Sequence, residues 1–229
     1  MSLTVSRYTR WLVTFAWILV GGWLVSATTD EIRFYWLVPP TPPEVTRDLI
    51  VKDATDKAGL RTSFRILLFS DEFRWRLNSS NAIEQDKDRP RFTEEMKAVL
   101  DKAQEVICVG ASSEEIPAGV SFEDGRAQEE RRAARRAEQI AVWVREALSR
   151  PIPVRKLNVG HHTRTQSAAG DTSDQRRVVI ILVLDHDDGA NIDQSLRSAM
   201  AAERSRAPVF ESLLTNYSLA TRENFAWVP

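Results

Sequence analysis

The residues with chemical potential in this chain are few: three histidines, one cysteine, several acidic clusters and an arginine-rich helix. His161 and His162 are adjacent. Neighbouring residues on a strand point to opposite faces, so such a pair does not readily share one ion. A metal-dependent hydrolase would need His161 and His162 together with the acidic run around His186, and this is the weakest of the functions that the sequence allows. The run Asp185-His186-Asp187-Asp188-Gly189 resembles a calcium loop only in composition. That loop needs glycine sixth and glutamate twelfth, whereas Gly189 is fifth and the twelfth residue is Leu196. Cys108 sits in the apolar run Val106-Ile107-Cys108-Val109 and reads as a buried hydrophobe rather than a thiolate nucleophile. No nucleophile elbow, phosphate loop or His-Glu-x-x-His motif occurs. The expectation is a non-enzymatic protein with no catalytic residue, no metal and no cofactor.

Composition narrows the class. The 229 residues are 43% hydrophobic and 28% charged, as expected of a globular chain. The net charge of −1 provides no field to draw in nucleic acid. A single cysteine excludes an intramolecular disulfide.

Residues Trp11 to Thr29 carry no charge. A bilayer core of about 30 Å takes about 20 apolar residues in a helix, and this stretch fits. Arg7 and Arg10 precede it, and Asp30 and Glu31 follow it, so the N-terminus is expected in the cytoplasm and the remainder outside. Trp11, Trp17 and Trp23 mark the anchor, and Gly21 and Gly22 would let a second helix approach. Val25-Ser26-Ala27 resembles a signal-peptidase site, so cleavage is the alternative. Either reading exports the rest of the chain. The expected address is the bacterial inner membrane, single-pass, with a periplasmic domain.

Four prolines among residues 39–43 form a semi-rigid spacer. The expected organisation is an anchor over 1–29, a juxtamembrane and Pro-rich linker over 30–62, an α/β domain over 63–190 and an extension over 191–229. A short helix is expected within Glu44 to Leu60. Phe64 to Phe69 reads as a strand, with Phe73 to Leu77 as its hairpin partner. Thr93 would cap a helix ending near Ala103. Val106 to Val109 reads as a strand, Glu123 to Ser149 as a long helix, Val154 to Val159 and Arg177 to Leu184 as strands, and Asp193 to Ala207 as a helix. Gly160 to Asp174 is expected to be a polar loop. Strands alternating with helices imply a helix-backed mixed sheet, an α/β or α+β sandwich.

Three blocks in order resemble the OmpA-like family of periplasmic domains. They are Val106-Ile107-Cys108-Val109-Gly110, then Arg136-Ala137-Glu138-Gln139-Ile140 with Trp143-Val144, then Ile152 to Gly160 with Asp174-Gln175-Arg176-Arg177-Val178. The resemblance covers under half of the chain. It implies peptidoglycan binding, with Arg136 pairing a ligand carboxylate and a loop acid binding an ammonium group. That family's Gly-His-Thr-Asp loop is here Gly110-Ala111-Ser112-Ser113 with Glu114 next, so the aspartate is missing and Glu114 lies one residue further on. Ser113, Glu114, Glu129 and Arg136 are the ligand candidates. The alternative reading of Arg136 is a solvated helix laced with i, i+4 ion pairs.

The leading expectation is an anchored envelope protein whose OmpA-like domain tethers to cell wall or to an envelope protein. Motor stators share this layout but carry an acid inside the membrane helix; here the nearest, Asp30, lies beyond it. A scaffold subunit of a larger membrane complex is the alternative.

Overall fold

In the computed structural model, the residues described are 45–69, 73–84, 92–115, 118–163, 172–203, 216–219 and 225–227. The anchor and the Pro-rich spacer lie outside them. Among the described residues no helix is long and apolar enough to cross a membrane.

Among the described residues the β-branched and aliphatic runs become six strands: β1 (Val45–Thr55), β2 (Arg61–Phe69), β3 (Glu105–Ser112), β4 (Val154–His161), β5 (Val179–His186) and β6 (Phe225–Trp227). They form one sheet in the order β1-β2-β5-β3-β4-β6. The β3–β4 pair is parallel, and the other pairs are antiparallel. Among the described residues three α-helices accompany them: α1 (Glu94–Leu100), α2 (Phe122–Ala147) and α3 (Ile192–Glu203). This is a mixed α/β sandwich, with α2 as the crossover that a parallel β3–β4 pair requires.

Alternation along the strands divides the core in two. Leu67, Phe69, Val106, Cys108, Ile180 and Leu182 face α1 and α2. Phe64, Ile66, Ile107, Val109, Ile181 and Val183 face Leu196, Ala199 and Met200 of α3. The sheet is therefore covered on both faces, which explains why β3 and β5 read as continuous apolar runs. Thr93 caps α1, its side chain accepting from the Met96 amide, and Ser121 caps α2 in the same way with Asp124.

Three expectations need correction. The stretch expected as a helix over Glu44 to Leu60 is β1, an edge strand. Its irregular registers at Val45/Arg47 and Val51/Ala54 break the apolar alternation that would have marked it as a strand. Phe73 to Leu77 does not pair with β2. It folds into its own small hairpin, with Trp75 bridged to Ile83 and the Arg76 amide donating to the Ala82 carbonyl at 2.9 Å. His161 and His162 are not in a polar loop: β4 runs to His161, and His162 bridges to Tyr217.

One glycine sets the layer spacing. A side chain on Gly110 would overlap the Ala133 carbonyl oxygen and lie 2.6 Å from the Ala137 amide. The backbone of α2 therefore rests directly on β3. The small residues Ala133 and Ala137 complete this contact.

Candidate functional site

The end of β3 and the middle of α2 position the candidate ligand residues. Arg136 lies on the buried stripe of α2 with Glu129, Ala133, Ala137 and Ile140, and its side chain is wholly inaccessible. Each nitrogen of its guanidinium is bonded to the chain itself. Nε donates to the Ser79 carbonyl at 2.9 Å, Nη1 to the Ala111 carbonyl at 2.8 Å, and Nη2 reaches the Arg76 carbonyl at 3.5 Å. The group also lies against the Trp75 ring, which stacks on Trp143 with centroids 5.1 Å apart.

A second arginine secures the same hairpin. Arg176 donates to the Trp75 carbonyl at 2.8 Å and pairs with Glu84, while the Trp75 amide donates back to the Arg176 carbonyl. Residues 73–84 thus sit where an external carboxylate would have to approach Arg136. Burial, followed by the nearby Arg132 charge, pulls the Arg136 pKa down to about 9, so it remains a cation at neutral pH.

The other candidates lie around the end of β3. The Ser112 hydroxyl donates to the Glu129 carbonyl at 2.9 Å. Glu129 is buried and pairs with Arg132. Ser113 is buried, its hydroxyl turned to Glu115 at 3.3 Å. The Glu114 amide donates to the Gln175 side chain at 3.1 Å. Glu114 Oε2 and Glu129 Oε2 are buried without a hydrogen-bond partner among the described residues. The loop and helix candidates are therefore neighbours, and among the described residues each of the two carboxylates retains an unpaired oxygen.

The histidines do not converge. Ser112 aligns with His161, and Glu105 at the other end of β3 aligns with Val183, so His161 and His186 stand at opposite ends of the sheet. Among the described residues no three metal-ligating side chains come together. His161 Nδ1 lies 3.5 Å from Glu130, and burial pulls its pKa below the ordinary value. His162 meets Tyr217 edge-on at 5.2 Å. Burial pushes the Cys108 thiol well above the usual range, leaving no thiolate.

Sequence reasoning missed Trp75 as the partner of Arg136, and Trp143 and Arg176 as the side chains that hold Trp75 and its hairpin. A signal was present: Glu129 and Arg136 share the i, i+3, i+4 rhythm of the apolar stripe, which marks polar groups held inside.

No family model and no curated protein matches the chain. Among solved structures the chain is similar to "The crystal structure of the periplasmic domain of MotB (residues 64-256)", at 15% identity and a TM-score of 0.31, covering 78% of this chain and 93% of that one.

Proposed function

We propose that this chain is a non-enzymatic, membrane-anchored envelope protein whose α/β domain engages a protein partner rather than a wall-peptide carboxylate at Arg136. The supporting observation is the guanidinium itself. It is buried, and each of its three nitrogens donates to a carbonyl of its own chain, so no exposed fork is presented to an external carboxylate. Anchoring is supported by the uncharged stretch Trp11 to Thr29, and reach by the prolines at 39–43. A scaffold subunit of a larger membrane complex is one form of this reading.

The test is native-state mass of the full chain purified in mild detergent, together with sedimentation on peptidoglycan. The expected result is migration with other proteins and no retention on the wall. Migration at its own mass with firm retention on peptidoglycan overturns the proposal.

One observation favours the second reading, wall binding through the cationic half of a stem peptide. Glu114 Oε2 and Glu129 Oε2 accept no hydrogen bond among the described residues. Under that reading Glu114→Gln would release the protein from peptidoglycan while leaving its fold intact.

A further inference from the structure

The C-terminal extension returns to the sheet at its β4 edge. Ser218 donates its amide to the His161 carbonyl at 2.9 Å, and Leu219 donates to the Val159 carbonyl at 3.1 Å. Thr163 donates to the Asn216 carbonyl at 2.5 Å. Further on, β6 pairs with Arg155 to Leu157. The contact at Gly160 is close enough that any side chain there would overlap the Ser218 hydroxyl.

Side chains fasten this segment at Tyr217, whose hydroxyl donates to the Gln175 carbonyl at 3.3 Å, and at Ser218, which is held by one carboxylate. The Ser218 hydroxyl donates to Glu130 Oε1 on α2 at 2.8 Å and accepts from the His161 amide at 3.2 Å. The same Glu130 oxygen lies 3.5 Å from His161 Nδ1 and 3.7 Å from Arg126 Nε. At 3.5 Å the neutral ring makes no hydrogen bond to Glu130, and His161 Nδ1 is buried without a hydrogen-bond partner among the described residues. Glu130 is thus left to Ser218 and the exposed Arg126.

We infer that His161 makes the docking of residues 216–219 on β4 sensitive to pH: a neutral ring leaves Glu130 to hold Ser218, and an imidazolium competes for Glu130 and loosens the segment. Among the described residues the groups facing the ring are Arg126 and Glu130 from α2, His162 just beyond β4 and Ser218 from the extension. Of these, Glu130 alone is an anion. A proton on His161 places a cation beside Arg126 and His162 in a site that is 9% exposed. Relief comes from drawing Glu130 into a short charge-assisted bond, away from the serine. Tyr217 follows because it is the next residue in the chain, and its ring lies against His162, the neighbour of the titrating group. The direction agrees with burial holding His161 neutral. The fastening is complete above the ordinary histidine value and is lost as pH falls through the lower folded value.

Hydrogen exchange on the full chain in detergent tests this at about pH 5.5 and about pH 7.5, on either side of the ordinary histidine value of ~6.5. After correction for intrinsic rates, the amides of Ser218 and Leu219 are expected to exchange several-fold faster at the acid value, while β3 and β5 keep their protection. In His161→Gln this difference is expected to vanish. An unchanged wild-type segment, or a variant that opens just as the wild type does, overturns the inference. Should His161→Gln lose core protection at both values, ring titration by NMR in the wild type decides. Only three histidines need resolving. An opening midpoint that follows the His161 ring supports the inference, and one that does not overturns it.

Discussion

The guanidinium carbon of Arg136 lies 5.6 Å from the centre of the Trp75 ring, and Trp75 stacks on Trp143, two turns further along the same helix. Together these three side chains fix the hairpin of residues 73–84 onto α2. The arginine also supplies donors to carbonyls at Ser79 in the hairpin and Ala111 at the end of β3. A cation in the core acts here as a fastener between segments that share no backbone ladder.

Replacing Arg136 by alanine would leave those carbonyls buried without donors and open a cavity under Trp75. Each orphaned buried acceptor costs about 1–3 kcal/mol, so the two together are expected to cost about 2–6 kcal/mol before the cavity is counted. Arg136→Lys should recover only part of this, because an ammonium cannot span the fork. Urea denaturation of the three proteins checks the order wild type, Lys, Ala. If Arg136→Ala lies within about 0.5 kcal/mol of wild type, as surface substitutions do, the fastener role fails.

Gly110→Ala tests the seat of α2 on β3. The added methyl would overlap the Ala133 carbonyl and lie 2.8 Å from the Ala137 methyl, and none of these atoms can retreat without moving the helix. Overpacking of this kind costs about 1–3 kcal/mol or more. For a chain of this size, 1 kcal/mol shifts Tm by about 2–4 °C, so a loss of roughly 6–12 °C is expected at the upper figure. Calorimetry showing an unchanged Tm would mean that the layer spacing is adjustable.

Much of this architecture was legible in the sequence, and the failures have specific causes. Val106 to Val109, Val154 to Val159 and the long helix from Glu123 were readable because their neighbours impose one period throughout. The edge strand β1 was not, since Asp53 at φ 54° and the two register shifts interrupt its alternation. The filling of the groove was not legible either. Arg136 and Arg176 stand in blocks resembling a ligand-binding family, but what they bind is a hairpin of this chain whose place is set by Trp75, far away in sequence. Type and spacing located the arginines, and tertiary contact decided their partners.

A buried ion pair ties the edge strand to the sheet. Arg65 of β2 and Asp48 of β1 meet at 2.5 Å, with side chains only 2% and 5% exposed. Removing one partner of a buried pair leaves an uncompensated charge and costs about 3–5 kcal/mol. Asp48→Ala is therefore expected to raise hydrogen exchange along Leu49 to Ala54 well before the core opens. Exchange that rises equally in β3 would show that β1 has no stability of its own to lose.

The last prediction concerns the triad that fastens α3 to the sheet. Arg155 on β4 pairs with Glu105 on β3 and, at 2.7 Å, with Asp193 at the start of α3. Burial raises the Glu105 pKa more than Arg155 lowers it. The sign follows. A carboxyl with a raised folded value is a burden at neutral pH, and this burden is relieved as acid protonates it. Arg155→Ala strands the Glu105 charge and is expected to cost about 3–5 kcal/mol at neutral pH. Glu105→Gln should cost less, because the amide still accepts a bond from Arg155 while Asp193 keeps the arginine paired. Acidification then separates the two variants further. The deficit of Arg155→Ala should shrink between neutral and mildly acid pH as Glu105 takes up a proton, whereas Glu105→Gln has no such group to titrate. Denaturation curves at the two pH values measure both effects. Equal deficits that do not move with pH would show that Glu105 is not the buried charge that Arg155 holds.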